Sequence, residues 1–201
     1  CVMDVLGLTV YWGKWDRRNL AILIPAALVG IAIGTATFRW LDADAIRIMI
    51  GALAVGFTGH QWLRALGARQ RAHAADALRG TLWGTVCGFA SFVAHAAGPP
   101  LSIYLLPQRL DKTLFVGTTV ALVFLLNLVK IAPYAWIGQF TAVNLYTALV
   151  LAPLAPVGIW LGLWLHRRAP EALFYRVCYA LLFVVGLRLL YDGFGGMLGA
   201  R

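Results

Sequence analysis

Residues 88–106 read Gly88-Phe-Ala-Ser-Phe-Val-Ala-His95-Ala-Ala-Gly98-Pro99-Pro100-Leu-Ser-Ile-Tyr-Leu-Leu, and this stretch decides the fold. It is an apolar run of membrane-spanning length that is interrupted first by His95 and then by Gly98-Pro99-Pro100. Because proline lacks an N–H and crowds the preceding turn, a helix cannot pass two prolines undisturbed. Inside a bilayer the freed backbone groups need partners, so a break is tolerated only within protein or beside a wet cavity. The stretch therefore predicts a membrane helix broken at Gly98-Pro100, a common way for secondary transporters to form a substrate site.

The composition is that of a membrane protein. Of the 201 residues, 61% are hydrophobic and only 12% are charged, whereas a soluble domain of this size needs far more surface charge. The net charge of +9 comes from basic residues that stand singly or in pairs between apolar runs, as in the loops of membrane proteins. This distribution argues against nucleic-acid binding. The cysteines have no CxxC spacing and indicate no metal site, no cofactor and no disulfide framework.

Apolar segments long enough to cross a bilayer recur along the chain. Each needs about 20 residues, and residues 1–12 resemble the end of a further one. The predicted spans are Leu20–Phe38, Ile46–Leu66, Gly80–Leu106, Leu114–Ile137, Leu145–Leu165 and Phe174–Leu190. The sequence therefore predicts an all-α membrane protein, a polytopic bundle of transmembrane helices.

Two parts of the chain resemble each other, which predicts two homologous halves, residues 1–79 and 80–201, within one transmembrane domain. The stretch 12–20 parallels 137–145, and Leu23-Ile-Pro-Ala-Ala-Leu-Val-Gly30 parallels Leu151-Ala-Pro-Leu-Ala-Pro-Val-Gly158. Shared richness in Leu, Ala and Gly is the alternative, but matching Pro and Gly spacings favour duplication. Whether the halves are parallel or inverted stays open. The first half has no counterpart of the broken segment, so we expect roughly 50 residues to precede Cys1.

One helix face of the span Leu114–Ile137 carries the strongest candidate for an anion site. A lysine inside an apolar span is costly and usually faces the interior or a wet cavity, although Lys130 could instead extend to the membrane surface. Asn127 lies three residues earlier on the same face, so the pair presents a cation and an amide suited to holding an oxyanion. Thr118 lies about two to three turns earlier, and bonding to its own helix backbone is an equal alternative for it.

The broken segment supplies further candidates. His95 could carry a proton, since its reference pKa lies near 6.5, although a core histidine bonded to a carbonyl is the plain alternative. Ser91 lies one turn before it, and Ser102 follows the break. A new helix start attracts anions through its N–H groups, so the backbone around Gly98 and Leu101 is the predicted anion cradle.

These residues resemble a known family. Gly88-x-x-Ser91-x-x-x-His95-x-x-Gly98-Pro-Pro-x-x-Ile-Tyr-Leu-Leu, Gly117-Thr118 and Asn127-x-x-Lys130 are similar to the second half of the sulfite exporter TauE/SafE family. The resemblance covers essentially the whole chain, which lacks only the family's first Gly-rich motif. It implies two four-span halves and a bacterial inner-membrane permease for sulfite, sulfoacetate or related organosulfur anions.

Residues and resemblance together predict a secondary transporter of small sulfur-containing oxyanions that works by alternating access, and not an enzyme. The expected partners are the lipid bilayer and the anion, with proton coupling and a homo-oligomer left open. Two alternatives are an intramembrane enzyme that uses His95 and Ser91, and an accessory subunit that transports nothing. The first would have neither a HExxH motif nor a membrane carboxylate to orient His95.

Overall fold

The computed structural model describes residues 2–38, 40, 42–65, 74–137, 153–197 and 199, and no strand occurs among them. The described residues form helices joined by turns, which confirms the predicted all-α class. A short 3-10 turn follows one of these helices at Leu106–Gln108. The helices are α1 (Val2–Val10), α2 (Arg17–Thr37), α3 (Ala43–Ala65), α4 (Ala77–Ala94), α5 (Gly98–Leu105), α6 (Lys112–Ile137), α7 (Leu154–Arg168) and α8 (Glu171–Met197).

Aspartate side chains begin several of these helices. The carboxylate of Asp76 accepts hydrogen bonds from the N–H groups of Leu78 and Arg79 and caps α4. Asp111 accepts from the N–H of Thr113 at 2.8 Å and caps α6 in the same way. An aspartate at this position satisfies first-turn amides that have no partner inside the helix. The short polar connectors of the sequence therefore set where the apolar helices start.

Three of the described helices are long and apolar enough to cross a membrane. They comprise α2, residues Lys112–Trp136 of α6, and α8. They match the predicted spans Leu20–Phe38, Leu114–Ile137 and Phe174–Leu190. The predicted span Leu145–Leu165 lies partly outside the described residues.

The interruption predicted at Gly98-Pro100 lies slightly before the prolines. Helix α4 ends at Ala94, and His95 has a left-handed backbone conformation with φ 52° and ψ 27°. Helix α5 begins at Gly98, so Pro99 and Pro100 occupy its first turn. Proline is tolerated there because first-turn amides have no helical partner. The residues between the two helices, rather than the prolines, form the interruption, and its placement at membrane depth stays a prediction.

The chain folds into two compact units that interleave along the sequence. The first compact unit comprises Cys1–Asp16 and Asp111–Phe174, and the second comprises Arg17–Leu110 and Tyr175–Arg201. Spatial proximity defines these units, whereas sequence similarity defines the predicted halves 1–79 and 80–201. The division into homologous halves therefore stays a prediction.

Glycines let α2 and α4 pack closely in the second compact unit. A Cβ atom at Gly30 would overlap the carbonyl group of Thr85, and one at Gly88 would overlap the carbonyl group of Ala27. Close backbone approach of this kind is the usual function of small residues between membrane helices. The α2–α4 pair therefore has no room for a side chain at either position.

The matching glycines of the predicted second repeat, Gly158 and Gly162, lie in a different environment. A Cβ atom at Gly158 would find Met3 Cε at 3.5 Å, an ordinary van der Waals contact with a flexible side chain. A Cβ atom at Gly162 would meet no described atom within 4 Å. Equal spacing of glycines in the two repeats thus does not produce equal packing among the described residues.

Candidate functional site

The buried face of α6 includes the predicted lysine. Lys130 is only 4% exposed, and Leu126 and Leu122, which precede it at successive turns, are fully buried. Residues four apart lie on the same face of a helix. Lys130 therefore lies within the packed side of an apolar helix, whereas a lysine that extends to a membrane surface would leave its ammonium group exposed.

Asn127 links α6 to α1 in the first compact unit. Its Nδ2 donates a hydrogen bond of 2.8 Å to Oδ2 of Asp4, which lies 123 residues away in sequence. Both side chains are half-buried. Since Lys130 follows Asn127 by three residues on α6, an amide, an ammonium and a carboxylate belong to this part of the unit. The site predicted from the sequence does not include Asp4, although a carboxylate in the apolar run Val2–Val10 is a usable signal.

Thr118 makes backbone hydrogen bonds that hold the turn between α1 and α2. Its Oγ1 accepts from the N–H of Asp16 at 2.9 Å and donates to the carbonyl of Leu114 at 2.6 Å. Beside it, a Cβ at Gly117 would overlap the carbonyl of Lys14, so glycine is needed for this close approach. These contacts give Thr118 a structural role, while its contact with a substrate stays a prediction.

We expect Thr118→Val to lower the free energy of unfolding by about 1–2 kcal/mol, because the fully buried hydroxyl would no longer accept the Asp16 N–H. Thermal unfolding of the purified protein in detergent measures the change. Thr119→Val is the matched control, since the hydroxyl of Thr119 donates to the carbonyl of Phe115 within its own helix. Equal shifts of Tm in the two variants would contradict the assignment.

His95 and its neighbours form the interruption in the second compact unit. The N–H groups of His95 and Ala96 both donate to the carbonyl of Ala90, which closes the end of α4. The His95 side chain is exposed. A left-handed conformation is unfavourable for a residue with a Cβ atom, and such strain is often found at functional sites.

The start of α5 offers fewer amides than the sequence predicts. Pro99 and Pro100 have no N–H, and the N–H of Leu101 donates to the carbonyl of Ala97 at 3.3 Å. The thiol of Cys87 donates to the same carbonyl at 3.4 Å. The Gly98 N–H is therefore the first-turn amide that best suits an incoming anion, and a Cβ at Gly98 would meet no described atom within 4 Å.

The two predicted serines flank the interruption differently. Ser91 is 3% exposed within α4, and Ser102 is half-buried within α5. The structure thus places Ser91, His95, Gly98, Leu101 and Ser102 in the second compact unit, around one interruption. The other predicted residues belong to the first compact unit, on the single helix α6.

A buried amide pair was not anticipated from the sequence. Asn19 Nδ2 donates to Gln108 Oε1 at 2.9 Å, and Gln108 Nε2 donates back to Asn19 Oδ1 at 3.2 Å. Gln108 also donates to the carbonyl of Tyr104. Buried amides need partners of this kind, so the pair ties the start of α2 to the 3-10 turn that follows α5. The repeat of Asn19 at Asn144 was the available signal.

Comparison with protein families assigns the chain to one of them. The protein-family model described as sulfite exporter TauE/SafE matches residues 1–189 of the chain. The chain belongs to the sulfite exporter TauE/SafE family. No curated protein and no solved structure matches it. As a TauE/SafE protein it is a member of a membrane transporter family, which agrees with the three long apolar helices among the described residues.

Proposed function

We propose that this TauE/SafE protein is a secondary transporter that moves sulfite or a related organosulfonate across a bacterial inner membrane by alternating access. In the first compact unit, Lys130 supplies the positive charge and Asn127 a hydrogen-bond donor. In the second compact unit, the backbone N–H of Gly98 offers an anion donor of its own. His95, with Ser91 one turn before it and Ser102 in the helix after the interruption, provides a route for a coupled proton. Membership of the family supports the substrate class.

The burial of Lys130 carries the proposal. An ammonium on the packed face of an apolar helix loses hydration, and a protein retains such a group where it meets an opposite charge. A sulfur oxyanion offers several negatively charged oxygen atoms to that ammonium. Asn127 lies one turn away and can orient the anion through its amide, because charge-assisted hydrogen bonds are the stronger ones.

Flux into proteoliposomes tests the proposal. The purified full chain is reconstituted, and uptake of radiolabelled sulfite is compared with uptake into protein-free vesicles, with and without a proton gradient. Methanesulfonate and sulfoacetate are expected to compete, whereas an uncharged sulfone of similar size is not. Equal uptake in the presence and absence of protein, for every sulfur oxyanion tried, would overturn the proposed function.

Two substitutions at His95 separate the role of its imidazole from the role of its backbone conformation. His95→Gly removes the strain of a left-handed residue, whereas His95→Ala retains it, so the glycine variant should be more stable by about 1 kcal/mol. If the imidazole carries the coupled proton, both variants lose the stimulation of flux by a proton gradient to the same extent. Thermal unfolding and flux are measured on the same preparations.

Opposite outcomes for the two variants would decide against the imidazole. If His95→Gly retains gradient-stimulated flux and only His95→Ala loses it, the residue acts through its backbone conformation. Gly98→Ala is a useful companion variant, because the space around Gly98 is open and the fold should tolerate the added methyl group.

A further inference from the structure

Asp4 is a carboxylate in an apolar helix, and the proposed function leaves it without a role. Helix α1 reads Val2-Met-Asp4-Val-Leu-Gly-Leu-Thr-Val10, and Asp4 is its one charged residue. Carboxylates are rare within apolar spans because desolvation disfavours them, and those that occur usually serve a function. Asp4 is held by the amide of Asn127 at 2.8 Å.

The bond to Asn127 uses a donor that the transported anion needs. Asn127 Nδ2 donates to Oδ2 of Asp4, and a sulfite or sulfonate oxygen would accept from the same nitrogen. A carboxylate and a sulfur oxyanion also repel each other at close range. The two anions therefore compete for one position beside α6.

We propose that Asp4 is an internal competitor of the transported anion. In the empty transporter its carboxylate occupies the Asn127 amide, and the sulfur oxyanion must displace it to bind. On release, Asp4 returns to the amide and speeds departure of the anion. This inference rests on the proposed function and adds a residue that sets affinity and turnover.

The test is transport kinetics of Asp4→Asn in proteoliposomes with sulfite. Asparagine keeps the size and can still accept from Asn127, so the α1–α6 contact persists while the charge is lost. KM for sulfite is expected to fall about five- to tenfold, because a neutral amide holds the Asn127 donor more weakly than a carboxylate does and does not repel the anion. The maximal rate falls as well, since release is no longer assisted. A purely structural role would lower the amount of folded protein without lowering KM.

Further variants distinguish the proposed competition from a folding defect and from a general effect of net charge. Asp4→Ser removes the charge with less volume and must lower KM in the same way, whereas Asp4→Glu retains the charge and should keep KM near the wild-type value. Asp111→Asn is the matched control, because it deletes the same charge at an exposed cap of α6 where asparagine also caps well. Its KM should be unchanged.

The outcomes distinguish this inference from the proposed function. If wild-type protein transports sulfite and neither uncharged variant lowers KM, Asp4 is not a competitor and the proposed function stands. If Asp111→Asn lowers KM equally, general charge explains the effect and the inference is again overturned. If the wild-type protein moves no sulfur oxyanion, the proposed function fails first.

Discussion

Lys130→Met is expected to reduce sulfite flux about 30- to 140-fold, because the loss of one charged hydrogen bond to the anion costs about 2–3 kcal/mol. Methionine matches the linear stem of lysine and suits the apolar surroundings of α6, where Leu126 and Leu122 are fully buried. The variant should therefore insert and fold. Flux of radiolabelled sulfite into proteoliposomes is the measurement, and size-exclusion chromatography checks the fold.

Lys112→Met is the matched control on the same helix. The Lys112 ammonium donates to the carbonyl of Ala169 at 2.7 Å, close to the start of α6. Its loss should cost about 1 kcal/mol of stability and leave KM for sulfite unchanged. Lys130→Arg keeps the charge and should retain part of the flux. Undiminished flux in correctly inserted Lys130→Met would remove this residue from the proposed site.

Gly30→Ala is expected to lower the free energy of unfolding by about 3 kcal/mol, the upper range for overpacking a tight contact. The added methyl group would overlap the backbone carbonyl of Thr85, and backbone cannot move aside as a flexible side chain can. Helices α2 and α4 would have to separate along their closest contact. Thermal unfolding in detergent and the yield of monodisperse protein measure the effect.

Gly158→Ala makes the same chemical change at the equivalent position of the predicted second repeat. The new methyl group would lie 3.5 Å from Met3 Cε, so a small change of Tm is expected. A helical alanine is also intrinsically favoured over glycine by about 1 kcal/mol. If both variants lost stability equally, the loss in Gly30→Ala could not be assigned to the α2–α4 contact, since helix propensity favours alanine at both positions.

The sequence by itself determined the properties that depend on neighbouring residues. Apolar runs of membrane length predict the long helices α2, α6 and α8, and a spacing of three residues places Asn127 and Lys130 on one face. Aspartates in the connectors mark helix starts. These features follow from hydropathy, helical periodicity and capping, which act within a few turns of one chain segment.

The tertiary structure decided the contacts between distant segments. Asp4 meets Asn127 across 123 residues, and only packing of α1 against α6 reveals it. Gly30 and Gly158 share a motif, yet only one of them lies against a backbone carbonyl. The bonds of Thr118 to a turn likewise depend on how α6 meets residues 11–16. A local pattern specifies which side of a helix is apolar, but the partner that covers that side depends on the packing of the whole unit.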